Sequence, residues 1–118
     1  MADCSGTEFG QSPEKAGPNI YPVNYKTDLL AYVRLHPGDM ESAREADIAP
    51  PALIQFGAES RYVVCLRASG QGWRTEKMAV YFSGEIIHFL DAKSQCNAAA
   101  YQSFPELPGM FSQMGGKK

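Results

Sequence analysis

The stretch Met78-Ala-Val-Tyr-Phe-Ser-Gly-Glu-Ile-Ile-His-Phe-Leu90 decides the fold. Two apolar runs flank Ser83-Gly84, and a two-residue loop containing Gly is a favoured hairpin connection. Folding the chain there sets Phe82 beside Glu85, Val80 beside Ile87 and Met78 beside Phe89. Strand side chains alternate faces, so Met78, Val80, Phe82, Ile87 and Phe89 share one apolar face that needs cover. Upstream, Arg61-Tyr-Val-Val-Cys-Leu-Arg67 reads as another strand, and Ser69-Gly70-Gln71-Gly72 as the connection leading to Trp73. Strands at about 60–68, 75–82 and 85–90 then form an antiparallel meander. A fourth strand is expected over Ala43 to Ala49, and Pro50-Pro51 separates it from a short extended piece at Ala52 to Phe56.

The cover comes from upstream. Asn24 is a good N-cap, and Tyr25, Leu29, Tyr32, Val33 and His36 follow at i, i+4, i+7, i+8 and i+11 on one helical face. Pro37-Gly38 stops that helix. Downstream, the Ala-rich run between Asp91 and Tyr101 suits a short helix, and Phe104-Pro-Glu-Leu-Pro108 ends regular structure. Residues 1–22 carry Gly6, Gly10, Pro13, Gly17, Pro18 and Pro22 without apolar periodicity and read as a flexible lead segment. The expectation is a single α+β domain over 23–108, with a flexible tail at 109–118. Its architecture is one amphipathic helix on a three- to four-stranded antiparallel sheet, with a short C-terminal helix.

Composition narrows the class. At 118 residues the chain fits one domain, and 44% hydrophobic with 20% charged residues is a globular balance. The net charge is −2 and the 11 Lys and Arg are scattered, which argues against a nucleic-acid partner. No apolar run approaches the ~18 residues of a membrane span. Met1-Ala-Asp-Cys-Ser-Gly-Thr-Glu8 is polar and holds no signal-peptide core. Read literally this is a soluble cytosolic chain, yet a mature exported domain given a start Met would look the same.

The chemistry-bearing residues are few. Cys4, Cys65 and Cys96 fit no zinc spacing and no C-x-x-C. In a reducing compartment they are thiols; in an oxidising one Cys65, in a strand, and Cys96, in the returning segment, become a natural pair. Cys4 is then unpaired or intermolecular, and Asp3 before it is a poor fit to a lipidation signal. His36 ends the helix, where a cation favours the dipole. His88 alternates with Ile87 and Phe89 and so faces away from the expected core, beside Ile86 and Tyr81. Neither histidine sits in a metal motif, and no serine sits in a G-x-S-x-G elbow. Gly70-Gln-Gly72 reads as a turn, and Glu41, Glu45 and Asp47 as a solvated face. No metal and no cofactor is expected. Trp73 and Arg74, in a Gly-rich connection, are the best contact candidates, because Trp and Arg are enriched in interface hot spots. The alternative places Trp73 over the sheet edge.

The set Tyr21-Pro-x-Asn-Tyr-Lys26, Asp28-Leu-Leu-Ala-Tyr32, Pro51-Ala-Leu53, Arg61-Tyr-Val-Val-Cys-Leu-Arg67 and Cys96-x-Ala-Ala-x-Tyr-Gln-x-Phe-Pro-Glu-Leu107 resembles a group of small exported proteins of alphaproteobacteria, especially rhizobial relatives. Some of that group look like lipoproteins, and the group carries no assigned activity. The resemblance runs over about residues 20 to 107. It implies an envelope location and strengthens the Cys65–Cys96 pairing. The expectation is therefore a small periplasmic or envelope-associated domain, non-enzymatic, that binds a protein partner through Trp73, Arg74, His88 and Tyr81. Two alternatives stand beside it: a small enzyme or ligand-binding protein using His88 with Tyr81 and Asp91, and a cytosolic adaptor with free thiols.

Overall fold

The computed structural model describes residues 19–115. Cys4, most of the expected lead segment and residues 116–118 lie outside the described residues. Among those described, two helices and six strands form an α+β domain. In chain order they are α1 (Tyr25–Leu35), a 3-10 turn (Gly38–Ser42), β1 (Glu45–Ile48), β2 (Ala52–Phe56), β3 (Glu59–Gly70), β4 (Trp73–Phe82), β5 (Glu85–Asp91), β6 (Gln102–Ser103) and α2 (Glu106–Gly115). The expected three to four strands undercount this sheet. No helix among the described residues is long and apolar enough to cross a membrane.

The sheet is antiparallel throughout, ordered β5-β4-β3-β1-β6, with β2 also paired to β3. The 12-residue β3 is its spine. β1 pairs with one half of it and β2 with the other, Ile48 facing Leu66 and Ala52 facing Val63. The pairing slips by one residue between them, at Ala49-Pro50-Pro51, where proline cannot donate to a ladder. Tight turns close the meander. Phe56 pairs with Glu59, Gly70 with Trp73 and Phe82 with Glu85, leaving two-residue loops at 57–58, 71–72 and 83–84. At the last loop both residues have positive φ, 54° at Ser83 and 87° at Gly84. That is the geometry whose twist matches a β-hairpin.

The expected hairpin is therefore present, and its Phe82–Glu85 pair forms, but the register beyond it differs. A bulge between Val80 and Tyr81 pairs Tyr81 with Ile86 and Val80 with His88, so Ile87 is the extra residue. Ile87 is 44% exposed rather than buried. Leu29 and Val33 of α1 do face the sheet, both fully buried. They pack on Val64, Leu66, Ala79 and Tyr81, with Phe89 at the margin. Met78 and Val80 lie on the opposite face, in a second cluster with Val63, Cys65 and Cys96. Both faces of β3 and β4 are apolar because both are covered, so alternation could not tell which set faces the helix.

The second face is covered by an irregular strap, residues 92–101, rather than by the expected Ala-rich helix. Its internal hydrogen bonds are isolated turns, Asn97 N to Ser94 O and Ala99 N to Cys96 O, while Ala92 N reaches Glu76 O of β4. Tertiary tethers override the helical preference of alanine here. The C-terminal helix instead forms over Glu106–Gly115, through residues expected to be tail. Pro108 stands in its first turn, where the missing N–H has no intrahelical acceptor in any case. Phe104, Leu107 and Phe111 from this region are buried in the helix-side core.

Candidate functional site

The strap is fixed at one point by covalent chemistry. Cys65 and Cys96 stand at disulfide distance, 2.01 Å between sulfurs and 5.9 Å between Cα atoms. Both are buried, and they sit where β3 brings Cys65 to the strap-side face beside Met78. A closed loop of this length (sequence separation 31) narrows the unfolded ensemble and holds the strap on the sheet.

Beyond the disulfide the strap ends on a polar cluster. Tyr101 lies under the Arg67 guanidinium, 4.1 Å from ring centroid to Cζ. Its hydroxyl donates to Glu76 Oε2 at 2.6 Å. Arg67 donates from Nε and Nη2 to Asp47 Oδ2, at 3.2 and 3.1 Å. The sheet register explains the convergence: Arg67 is flanked by Asp47 on β1 and Glu76 on β4. Burial, then the hydrogen bond to Glu76 and its charge, push the Tyr101 hydroxyl well above its ordinary range. The phenol therefore stays protonated as a donor. Asp47 and Arg67 remain about one-third exposed, and an open depression of about 430 Å³ extends from them along Glu45, Ser69 and Arg74. The arrangement is a set of fixed, half-hydrated charges, suited to recognising a polar or charged surface.

A second cavity adjoins the disulfide. It is a crevice of about 310 Å³ between the strap and the sheet, lined by Ala49, Ala52, Ile54, Val63, Cys65 and Ala98–Ala100 among others. Small side chains leave it open, and its walls are almost wholly apolar.

Of the residues singled out from sequence, Trp73 and Arg74 meet at the charged depression, while His88 and Tyr81 lie elsewhere. Alternation along β4 sends Trp73 and Arg74 to opposite faces. Trp73 packs with the helix-side core and lies against Gly70, whereas Arg74 is exposed on the strap side; both border the charged depression. Tyr81 is buried under α1, and its hydroxyl donates to Asp28 Oδ2 at 3.1 Å. Burial, with the nearby Asp28 carboxylate, pushes that hydroxyl far above its usual range. His88 pairs with Val80 on the other face and is exposed. Asp91 is bound to Lys77 at 2.6 Å, which holds its carboxyl below the usual range through the hydrogen bond and then the charge. The trio His88, Tyr81 and Asp91 is thus not brought together. His36 caps α1 with its backbone N–H, donating to Tyr32 and Val33 carbonyls, and its ring lies 4.7 Å from Tyr32. Among the described residues no three His, Cys, Asp or Glu side chains converge as metal ligands would.

The Asp47–Arg67–Tyr101–Glu76 cluster had no signature in the sequence. Its members come from four separate segments and meet only through sheet register and the strap. No family model, no curated protein and no solved structure matches the chain.

Proposed function

We propose that this protein is a non-catalytic binding domain of an oxidising, envelope compartment, and that it engages a protein partner on the strap-bearing face of its sheet. One observation carries the reading. Tyr101, brought in by the disulfide-tethered strap, stacks on Arg67 and hydrogen-bonds Glu76, immobilising a ring of charges beside an open depression. Charges fixed in advance lose little freedom on docking and contribute mainly to specificity and encounter rate. Arg74 is the exposed contact residue of this surface, and Trp73, packed against the core, forms part of the depression's wall. The bonded state of Cys65 and Cys96 supports an oxidising location, since such bonds are rare in reducing compartments. The motif resemblance drawn from the sequence to exported alphaproteobacterial proteins points to the periplasm as that compartment. The dispersal of His88, Tyr81 and Asp91 favours binding over catalysis.

The test is selection from a displayed peptide library on the oxidised protein, followed by titration of enriched peptides against Arg74→Glu and Glu45→Lys. Both side chains are exposed, so melting should not move while affinity falls by about ten-fold or more. Peptides that ignore both substitutions would remove the reading.

A further inference from the structure

Among the described residues the sheet leaves three outer edges, and they are not equally guarded. β6 is two residues long, too short to template another strand. β5 is interrupted by the bulge at Ile87 and bounded by Glu85 and Asp91. A two-fold antiparallel pairing of β5 with its own copy would set Glu85 against Asp91, a like-charge apposition. β2 has none of these protections. Its five residues, Ala52-Leu-Ile-Gln-Phe56, carry no charge and no proline, and among the described residues they pair with β3 alone. Natural edges of this kind are normally blunted by Lys, Pro or a bulge.

The strap face of this edge is apolar, and its helix face carries Leu53 beside the uncharged Gln55. On the helix side Leu53 is 55% exposed beside Tyr62, whose ring meets Tyr21 edge-on at 5.3 Å. On the strap side Ala52 and Ile54 form one wall of the alanine-lined crevice, and Phe56 is half-buried on the same cluster.

We propose that β2 is a self-association edge, pairing antiparallel with β2 of a second copy of this chain about a two-fold axis at Ile54. The residues are self-complementary in that register. Ile54 meets Ile54 of the second copy, and Leu53 meets Gln55 on the helix side. On the strap side Phe56 meets Ala52, so the largest side chain of the strand faces the smallest, at the lip of the crevice. No charge opposes a like charge, which separates this edge from β5. Such an isologous contact closes on itself and joins two six-stranded sheets into one. A five-residue pairing buries less than the roughly 800 Å² per partner of a standard interface, so the dimer should be weak, in about the micromolar range or above. The contact leaves the charged depression at the other end of β3 uncovered, and so it is independent of the binding role proposed above.

The experiment uses the full chain in a Cys4→Ser background, which excludes dimers linked through that thiol. Sedimentation equilibrium is run over a wide concentration range on this chain and on two double variants at exposed positions. Leu53→Glu with Gln55→Glu sets like charges opposite each other twice in the proposed register. Leu53→Lys with Gln55→Glu sets opposite charges there. The expected result is a concentration-dependent dimer for the parent, retained or tightened by the Lys/Glu pair and lost in the Glu/Glu pair, with similar melting of both variants. Amide exchange supplies a second readout, with protection at 52–56 rising with protein concentration. A parent that stays monomeric throughout overturns the proposal, as does equal dimerisation of both variants. Concentration-independent protection of 52–56 would assign the edge to another segment of the same chain and overturn it equally.

Discussion

Tyr81 Oη donates a 3.1 Å hydrogen bond to Asp28 Oδ2, joining β4 to α1 across 53 residues of sequence. The phenol is 2% exposed and the carboxylate half-buried, so the bond ties the helix to the sheet at the margin of the core. It also makes stability depend on pH at the alkaline end. The folded state resists ionisation of Tyr81, whereas the unfolded chain ionises near the ordinary tyrosine value of 10.0. The raised folded pKa means the stabilisation is fully present below pH 10 and is lost as pH rises above it. Chemical denaturation between pH 9 and 11.5 should show a loss of about 1.4 kcal/mol per pH unit from Tyr81 once above its unfolded pKa. Tyr81→Phe should remove this share of the slope while costing about 1–2 kcal/mol at neutral pH. An unchanged alkaline limb in that variant would contradict the assignment.

The disulfide is predicted to be a major stabiliser rather than an ornament. Removing it by Cys65→Ala with Cys96→Ala should cost about 3–4 kcal/mol in the chain-entropy account, measured by urea denaturation. Intact-mass analysis of oxidised protein should show two protons fewer than the reduced form for this pair. Alkylation of Cys65 and Cys96 without prior reduction, in protein from an oxidising compartment, would contradict both statements.

Trp73 and Arg74 should separate cleanly by mutation. A Cβ on Gly70 would fall 2.8 Å from the Ser42 carbonyl oxygen and closer still to Trp73 Nε1, so the indole needs glycine beneath it. Gly70→Ala and Trp73→Ala should each lower the melting temperature, the latter by about 2–4 kcal/mol of stability, because half-buried core contacts are lost. Arg74→Glu should leave melting within about 0.5 kcal/mol of the parent, as exposed substitutions do. A Trp73→Ala variant as stable as the parent would return Trp73 to the role of a surface contact.

Ile87→Asp tests the bulge. The hairpin drawn from alternation alone buries Ile87, and an aspartate there would unfold the domain. With Ile87 bulged and 44% exposed, the substitution should cost only about 1 kcal/mol or less. Ala79→Asp, at a fully buried position under α1, should abolish cooperative unfolding. Equal damage from the two would restore the simple register.

Phe111 reports on the C-terminal helix. It is 8% exposed and stacks one turn beyond Leu107, itself fully buried. Phe111→Ala should cost about 3 kcal/mol, and truncation after Pro108 should cost at least as much. A truncated chain of undiminished stability would return residues 109–115 to the status of a tail.

Much of this was local and therefore readable. Gly84 marks the turn because glycine accepts positive φ without cost, even though Ser83 beside it takes up positive φ as well, and the α1 face specifies Leu29 and Val33 because burial follows a 3.6-residue period. Pro37-Gly38 ends α1 for the same local reasons, with Gly38 at a φ of 47°. What needed tertiary structure was every choice between two locally equal options. Alternation in β3 and β4 supplies two apolar faces, and only the strap, held by Cys65–Cys96, makes one of them its own. The bulge at Ile87 is a one-residue slip that no composition announces. Alanines at 98–100 are good helix formers in isolation, yet they line a crevice because the chain on either side is tethered to the sheet. Prolines at 105 and 108 end a helix when read from upstream and begin one when Leu107 and Phe111 have a core to enter. The charged ring of Asp47, Arg67, Glu76 and Tyr101 lies furthest from the sequence. Coulomb attraction and stacking act over a few ångströms, and only the sheet register and the strap bring those four residues within that range.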